Sequence, residues 1–289
     1  MDGAAATPDG VVRPHLVGVA IYKMTGSGND FVMVDTRHTS PDDWAPADIR
    51  AVCARGTGVG ADGLVFVGPG SRPQAVRMIY YNADGSPAAM CGNAALCATR
   101  LAARLGLAPA REMLLETDAG TYVTRCGADG DRAELGVAAV AAPVPVPGLG
   151  TLADERRAAF VTVGVPHLVV LVVDVDRVDV RTRGRALRCD PALGAGGANV
   201  NFVAPGAGPE EWRMRTYERG VEDETLACGT GAVAAACALL GWDLAASPLS
   251  FRTRSGRRLD VRAARTADGS YDDLWLSGEA RVVLRGVIS

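Results

Sequence analysis

The chain repeats itself, and that constrains it more than any single motif. At an offset of 136 residues Gly28 meets Gly164, Gly60 meets Gly196, Phe66-Val67 meet Phe202-Val203, and Arg77-Met78-x-x-Tyr81 meets Arg213-Met214-x-x-Tyr217. One extra residue then enters the second copy, so that Cys91-Gly92 matches Cys228-Gly229. The register returns at Thr117-x-x-Gly120 and Thr253-x-x-Gly256, and an Ala-Asp-Gly turn stands at 128 to 130 and again at 267 to 269. Ordered matches over so long a stretch, with one local slip, read as a duplication. Two similar halves are therefore expected, each with its own core.

Each half carries the same coarse plan. Phe31 to Val34, Leu64 to Val67, Leu168 to Val173 and Val200 to Val203 are short apolar, β-branched runs bounded by Gly, Pro and Asp, the pattern of strands. A Cys-Gly then opens a helix, from about Cys91 to Leu105 with Gly106 as its stop, and again at GTGAVAAACALLG. The second helix is apolar almost all round, so it must be enclosed. A tight Asp-Gly turn follows each helix, at Asp129-Gly130 and Asp268-Gly269. The expected fold class is α/β (α+β): two pseudo-symmetric domains, each a curved, mostly antiparallel sheet or barrel around a central helix. The boundaries read as a flexible stretch at 1–16, an amino-terminal half at 17–136 and a carboxy-terminal half at 137–273. A last strand at about 274–289 could return to the first half, and the joint falls near PVPVPG at 143 to 148.

Composition narrows the function classes. A net charge of -3 gives no general basic field for a phosphate backbone, so no nucleic-acid partner is expected. The amino-terminal residues lack a cationic start followed by an apolar core. The most apolar run, Val161 to Val173, carries His167 and is too short to span a bilayer, so the expectation is a cytoplasmic protein with no membrane partner. Seven cysteines form no CxxC pair and only three histidines exist, which argues against a disulfide framework and against a metal site. Lys23 is the only lysine, so a pyridoxal phosphate enzyme would have to build its Schiff base there, at the start of an expected strand; that cofactor is discounted.

The glycine-rich segments have a simple reading. GVGADG, 58 to 63, matches G-x-G-x-x-G as a string, but a helical pattern (Ala47 to Arg55) precedes it and a strand follows. A dinucleotide site needs the reverse order, and the glycines are read as turn residues. TGSGND, 25 to 30, sits at the position equivalent to GVPH, 164 to 167, and paired loops suggest paired ligand contacts.

The chemistry centres on the two repeated cysteines. A cysteine at the first turn of a helix faces the positive end of the macrodipole and unpaired N–H groups, which favours the thiolate. The same N–H groups, in CGN at 91 to 93 and CGTG at 228 to 231, can hold a carboxylate. Cys53, Cys97, Cys126, Cys189 and Cys237 fall inside expected elements and read as small packing residues. Duplication would place two such thiols about a pseudo-twofold axis. A thiolate could then take the α-proton from one face of a small amino acid while the opposite thiol returns one to the other face. No metal and no organic cofactor is needed if the helix ends carry the charge.

The segments KMTGSGNDFVMVD (23 to 35), GVGADGL (58 to 64), YNADGSPAAMCGN (81 to 93), GVPH (164 to 167), NVNF (199 to 202) and YERGVEDETLACGTG (217 to 231) closely resemble the diaminopimelate epimerase family over nearly the whole chain. The resemblance implies the two-domain fold, a homodimer, and cofactor-free interconversion of LL- and meso-diaminopimelate on the route to lysine and cell-wall peptide. It implies that Cys91 and Cys228 are the acid/base thiols, with His167 and Glu218 tuning them. It places Asn29, Asn82, Asn199, Glu218 and Arg219 on the substrate, and Gly92, Asn93, Gly229 and Thr230 around its carboxylate. Arg219 also stands on its own chemistry, since a planar guanidinium suits a second carboxylate.

Four departures loosen the substrate assignment. Val165 stands where the family has Asn, Ala94 and Leu96 replace Gly and Arg in CGNGxRC, Thr25 replaces a common His, and the loop before Cys228 has an extra acidic residue. A related amino-acid racemase, such as one acting on histidine, is the alternative within the superfamily. A thiol redox protein is the alternative from another class, in which the set Asn29, Asn82, Asn199 and Arg219 would have no purpose.

Overall fold

The computed structural model describes residues 14–208 and 210–289. The chain divides into two units, one taking the chain up to Ala133 together with Ala280–Ser289, the other Glu134–Glu279. Most of the stretch expected to be flexible, 1–16, lies outside the described residues. Its described part is ordered: Pro14–Leu16 forms one turn of 3-10 helix, and Leu16 is fully buried in the first core.

In unit 1, β1 (Ala20–Gly26), β2 (Asn29–Asp35), α1 (Pro46–Cys53), β3 (Gly63–Pro69), β4 (Ala75–Asn82) and the two-residue β5 (Pro87–Ala88) lead to the helix α2 (Gly92–Arg104). β6 (Met113–Thr117) and β7 (Gly120–Cys126) complete the run, and β8 (Arg132–Val137) carries the chain out. β2 and β3 pair in parallel, β3 and β4 antiparallel, β4 and β6 in parallel, and β6 and β7 antiparallel.

Unit 2 contains β9 (Glu155–Val163), β10 (Val165–Val172), α3 (Val180–Arg188), β11 (Asn199–Pro205), β12 (Glu211–Glu218), β13 (Asp223–Thr225), α4 (Gly229–Gly241), β14 (Leu249–Arg252), β15 (Arg258–Arg265) and β16 (Tyr271–Glu279). The pairing pattern is the same, with β10 and β11 parallel, β11 and β12 antiparallel, β12 and β14 parallel, and β14 and β15 antiparallel. Finally β17 (Arg281–Val287) returns to unit 1 and pairs antiparallel with β1.

The duplication holds at the level of register. Phe31 lies opposite Gly63 and His167 opposite Asn199; Ala75 lies opposite Leu114 and Glu211 opposite Ser250; each pair is 136 residues from its counterpart. The extra residue of the second copy shows between the fourth strand and the helix, where Tyr80 faces Ala88 but Thr216 faces Thr225. Both central helices are 13 residues long.

Each sheet is covered on both faces, which is why β3 and β11 read as unbroken apolar runs rather than alternating ones. In unit 1, Ile21, Val32, Val34, Leu64 and Phe66 pack with Ile49 and Val52 of α1. The other side of the same strands wraps α2, which touches β1, β2, β3, β4, β6, β7 and β17. In unit 2, Leu168, Val170, Val200 and Phe202 pack with Val180 and Leu187 of α3, while α4 lies against β9, β10, β11, β15 and β16. Every residue of α4 from Gly231 to Leu239 is buried, as its all-round apolar sequence requires.

The central helices end alike by different means. After α2, Gly106 takes a left-handed φ of 69° and Leu107 N–H donates to Ala102 O at 2.9 Å. After α4 the stop is not Gly241. Trp242 caps the helix, Asp243 takes φ 55°, and Leu244 N–H donates to Leu239 O at 3.0 Å. Both are Schellman endings, and Asp is among the few side chains that tolerate the left-handed position.

The proline-rich stretch is not the joint between the units. It lies within unit 2, where Val144, flanked by prolines, exchanges both backbone hydrogen bonds with Phe160 at 3.0 and 2.8 Å. Prolines on either side leave that single residue to do the pairing. Among the described residues no helix is long and apolar enough to cross a membrane.

Candidate active site

Unit 1 brings together Cys91, Gly92, Asn93 and Asn29. Cys91 is the N-cap of α2, with extended backbone at φ -141° and ψ 121°, and Gly92 and Asn93 open the helix. Their N–H groups belong to the first turn, where no intrahelical acceptor exists. The close approach of β1 to this turn needs a glycine: a Cβ on Gly26 would stand 2.8 Å from Asn93 O and 2.9 Å from Cys97 Sγ. Asn93 is 3% exposed, and its Nδ2 donates to Asn29 Oδ1 at 2.7 Å.

Asn29 is held from its other end too. Its Nδ2 donates to Asp62 Oδ2 at 2.9 Å, and the same carboxylate accepts Asp30 N–H at 3.2 Å and pairs with Arg55 at 2.7 Å. Asp30 in turn holds Lys23 at 2.6 Å and Arg55 at 2.6 Å. Burial alone would raise the Asp30 carboxyl, but the Arg55 and Lys23 bonds hold it below the usual range. The lone lysine is thus tied into a charged network in the middle of β1. Asn82, at the end of β4 opposite Gly63, donates to the Ser86 hydroxyl at 3.0 Å rather than to Asn29 or Asn93.

Of the GVGADG glycines, Gly58 and Gly60 are turn residues, whereas Gly63 opens β3, where a Cβ would stand 2.5 Å from Tyr81 O. Val59 and Gly60 N–H both donate to Val52 O, and Gly60 takes φ 74°, closing the end of α1 and delivering Asp62 to Asn29.

Unit 2 brings together Cys228, Gly229, Thr230, His167, Asn199 and Arg219. Cys228 caps α4, is 7% exposed, and its Sγ accepts from Gly231 N–H at 3.4 Å; the Thr230 hydroxyl lies 3.6 Å away. A helix-start N–H aimed at sulfur favours the thiolate. Asn199 Oδ1 accepts Arg219 N–H at 2.8 Å, and Arg219 Nη1 reaches Gly196 O at 3.3 Å. Glu218 ends β12, one step beyond the Val200–Tyr217 pair, the place Asn82 holds in the first copy. Burial raises its carboxyl above the usual range, opposed by the Thr225 hydroxyl.

His167 is wholly buried on β10. Burial, and then the Arg219 charge, push its imidazole down to about 3. It is therefore neutral, and not the loosely placed loop residue its setting beside Pro166 could suggest.

The remaining cysteines divide. Cys53 and Cys237 are buried and pushed up to about 12 by loss of solvation, the behaviour of inert packing residues, and Cys97 is fully buried. Cys126 is half-buried at the end of β7. Cys189 departs from expectation: it is the exposed C-cap of α3, past the last apolar contact of that helix.

Comparison with known proteins bears on this arrangement directly. The family model described as diaminopimelate epimerase matches residues 21–140 and 159–271, which include both capping cysteines. The chain belongs to the diaminopimelate epimerase family. It is 44% identical over 280 residues to the diaminopimelate epimerase of Gemmatimonas aurantiaca, covering 94% of this chain and 99% of that one. It is 37% identical to that of Aquifex aeolicus, covering 93% and 97%. Among solved structures, a PhzF-family phenazine biosynthesis protein of Bacillus anthracis superposes with a TM-score of 0.73 at 13% identity, over 94% of this chain and 99% of that one. A hydroxyproline epimerase of Agrobacterium vitis superposes at 0.59 and 16% identity, over 93% and 91%. At such identities these two show the fold alone, a sheet-rich α+β fold.

Against the diaminopimelate epimerase pattern, Ala94 and Leu96 prove fully buried in the enclosed face of α2, and Val165 is 37% exposed at the start of β10. Two site-building residues escaped the sequence reading. Asp62 lay inside GVGADG as one more turn residue, and Asn201 lay inside NVNF two positions after Asn199. A polar residue recurring at i and i+2 in an otherwise apolar strand was the available signal for Asn201.

Proposed function

We propose that this chain interconverts LL- and meso-diaminopimelate by exchanging one α-proton between two thiols, without metal or organic cofactor. The observation that carries the reading is that Cys91 and Cys228 are the N-caps of the two repeat-related central helices in a chain of this family.

In this reading the Cα–H bond of the substrate breaks toward one sulfur, acting as thiolate, while the other, as thiol, gives its proton to the opposite face of the same carbon. The electron pair left by the departing proton spreads onto the α-carboxylate. The charge that grows there is assigned to the first-turn N–H groups after each cap, those of Gly92 and Asn93 in α2 and of Gly229 and Thr230 in α4. After one turnover the two sulfurs have exchanged protonation states and the carbon has inverted.

Arg219 takes the distal carboxylate, and Asn29, Asn82 and Asn199 take the ammonium groups and carboxylate edges. Glu218, its carboxyl raised by burial, and the neutral His167 stand beside the thiol chemistry. A homodimer working in the cytoplasm completes the reading.

A second reading has one observation behind it. Val165 is the repeat partner of Asn29 and offers no hydrogen bond to a distal amino-acid group, which favours a racemase acting on a single amino acid. The deciding experiment supplies purified, reduced protein with LL-diaminopimelate and, separately, with a panel of single L-amino acids. Conversion of LL- to meso-diaminopimelate at least tenfold faster than any other inversion is expected. Inversion of a single amino acid with inert diaminopimelate contradicts the proposal.

A further inference from the structure

Asn201 on β11 is fully buried, and the chemistry of its neighbours sets which way its amide points. Its Nδ2 lies 3.4 Å from the backbone oxygen of Leu168, which can only accept. Its Oδ1 lies 3.0 Å from the Thr216 hydroxyl, which donates to it. The nitrogen end is therefore the one that faces His167, at 3.2 Å from Nδ1.

A donor aimed at Nδ1 requires that atom to offer its lone pair. In a neutral imidazole the proton then sits on Nε2. Nε2 is itself buried and has no partner among the described residues. A buried N–H of this kind costs stability unless an acceptor arrives.

We propose that Asn201 is a positioning residue that fixes His167 as a neutral Nε2–H donor to an anion, so that the ring takes up no proton during turnover. The identity of that anion rests on the epimerase reading: it is the substrate carboxylate or the Cys228 thiolate. The tautomer does not rest on it.

Proton uptake is blocked at both nitrogens. Nε2 is already protonated. A proton on Nδ1 would set two donors against each other, and turning the Asn201 amide to relieve this would bring its Oδ1 against the Leu168 carbonyl oxygen, which can only accept. The elements against β10 are β9, β11 and α4. β9 carries Glu155, Arg156 and Arg157 at its start, β11 carries no ionisable group, and α4 contributes Cys237 and its cap Cys228. The charge that bears on the ring is Arg219, which opposes protonation further.

The device exists in one copy only. The repeat partners of His167 and Asn201 are Phe31 and Val65, at most 1% exposed, which pack the same site in unit 1 without polar atoms. His167→Phe thus has a precedent for folding inside the same molecule.

With only His15, His38 and His167 present, and the first two exposed, nitrogen-15 spectra of the histidine rings read the tautomer of the intact protein directly. The expected result is one buried ring protonated at Nε2 and unchanged between about pH 5 and 9, spanning the ordinary histidine range. A ring protonated at Nδ1, or one that titrates in this range, overturns the proposal whatever the epimerase assay shows.

Asn201→Asp replaces the donor by an acceptor and is expected to move the proton to Nδ1 or charge the ring, adding an ionisation to the pH profile of kcat. An unaltered Nε2–H tautomer in that variant contradicts the role given to Asn201. If the variant does not fold, the wild-type tautomer still decides.

His167→Phe is expected to lower kcat on the order of 100-fold, the scale for loss of one placed donor. Turnover within twofold of wild type contradicts the donor role. A downfield move of the Nε2–H resonance on adding substrate that persists in Cys228→Ala assigns the acceptor to the carboxylate. A move lost in that variant assigns it to the thiolate, and no move under either condition overturns the donation.

Discussion

Asn93 Nδ2 donates to Asn29 Oδ1 at 2.7 Å, tying the first turn of α2 to the start of β2 across 64 residues of chain. The start of the helix and the start of the strand are thereby joined side chain to side chain. Asn29 spends its second amide contact on Asp62, so its orientation is fixed before any ligand arrives.

That contact makes Asp62 testable. Asp62→Ala removes the acceptor for Asn29 and one partner of Arg55, leaving the cysteines untouched. The expected outcome is a folded protein whose kcat/KM for diaminopimelate falls up to about 100-fold, the scale of a misplaced binding group. Asp62→Asn, which keeps an acceptor, is expected to recover part of the loss. Steady-state kinetics of the two variants checks this, and unchanged kcat/KM in the alanine variant speaks against Asn29 as a substrate contact.

The helix starts depend on glycine for close approach. A Cβ on Gly231 would lie 2.3 Å from Asn201 Oδ1 and 3.1 Å from Cys228 Sγ, and the Gly26 site is crowded in the same way by backbone. Gly231→Ala and Gly26→Ala are each expected to cost about 1–3 kcal/mol in urea denaturation, the range for overpacking. Gly150→Ala, with nothing within 4 Å, is expected to stay within about 0.5 kcal/mol.

The buried His167 and the half-buried Glu218 give opposite pH signatures. His167 is pushed down to about 3 from 6.5, so the unfolded chain binds its proton first as pH falls. The stability it supports is complete above pH 6.5 and is lost as pH drops through that value toward 3. Glu218 is shifted up from 4.5, so its favourable contribution is complete below that pH and is lost as pH rises through the folded value. Denaturation across pH 3 to 8 is expected to show a shallower acid loss in His167→Phe than in wild type. Glu218→Gln is expected to gain on wild type as pH rises past 4.5. Parallel curves for either variant contradict the assignment.

Much of this was legible in the sequence because duplication turns local identities into global topology. Once Phe66-Val67 and Phe202-Val203 are recognised as equivalents, the strand pairing of one unit must recur in the other. The all-apolar GTGAVAAACALLG could only be enclosed, and a cysteine before a helix could only cap it. What stayed hidden depends on partners distant in sequence. Asp62 looks like a turn residue until Asn29 and Arg55 fold against it, and Asn201 acquires meaning only when β10 places His167 beside it. Leu16 and Cys189 mislead for a different reason: single residues next to element ends are decided by whether the core reaches them, which composition does not record.

The most direct measurement of the central claim follows epimerisation of LL-diaminopimelate in heavy water with wild-type protein, Cys91→Ala and Cys228→Ala. The account predicts deuterium at the inverted α-carbon with wild type, and turnover lower by at least about 100-fold in each variant, the scale of a positioned acid or base. Inversion without label, or near wild-type turnover in either variant, contradicts it.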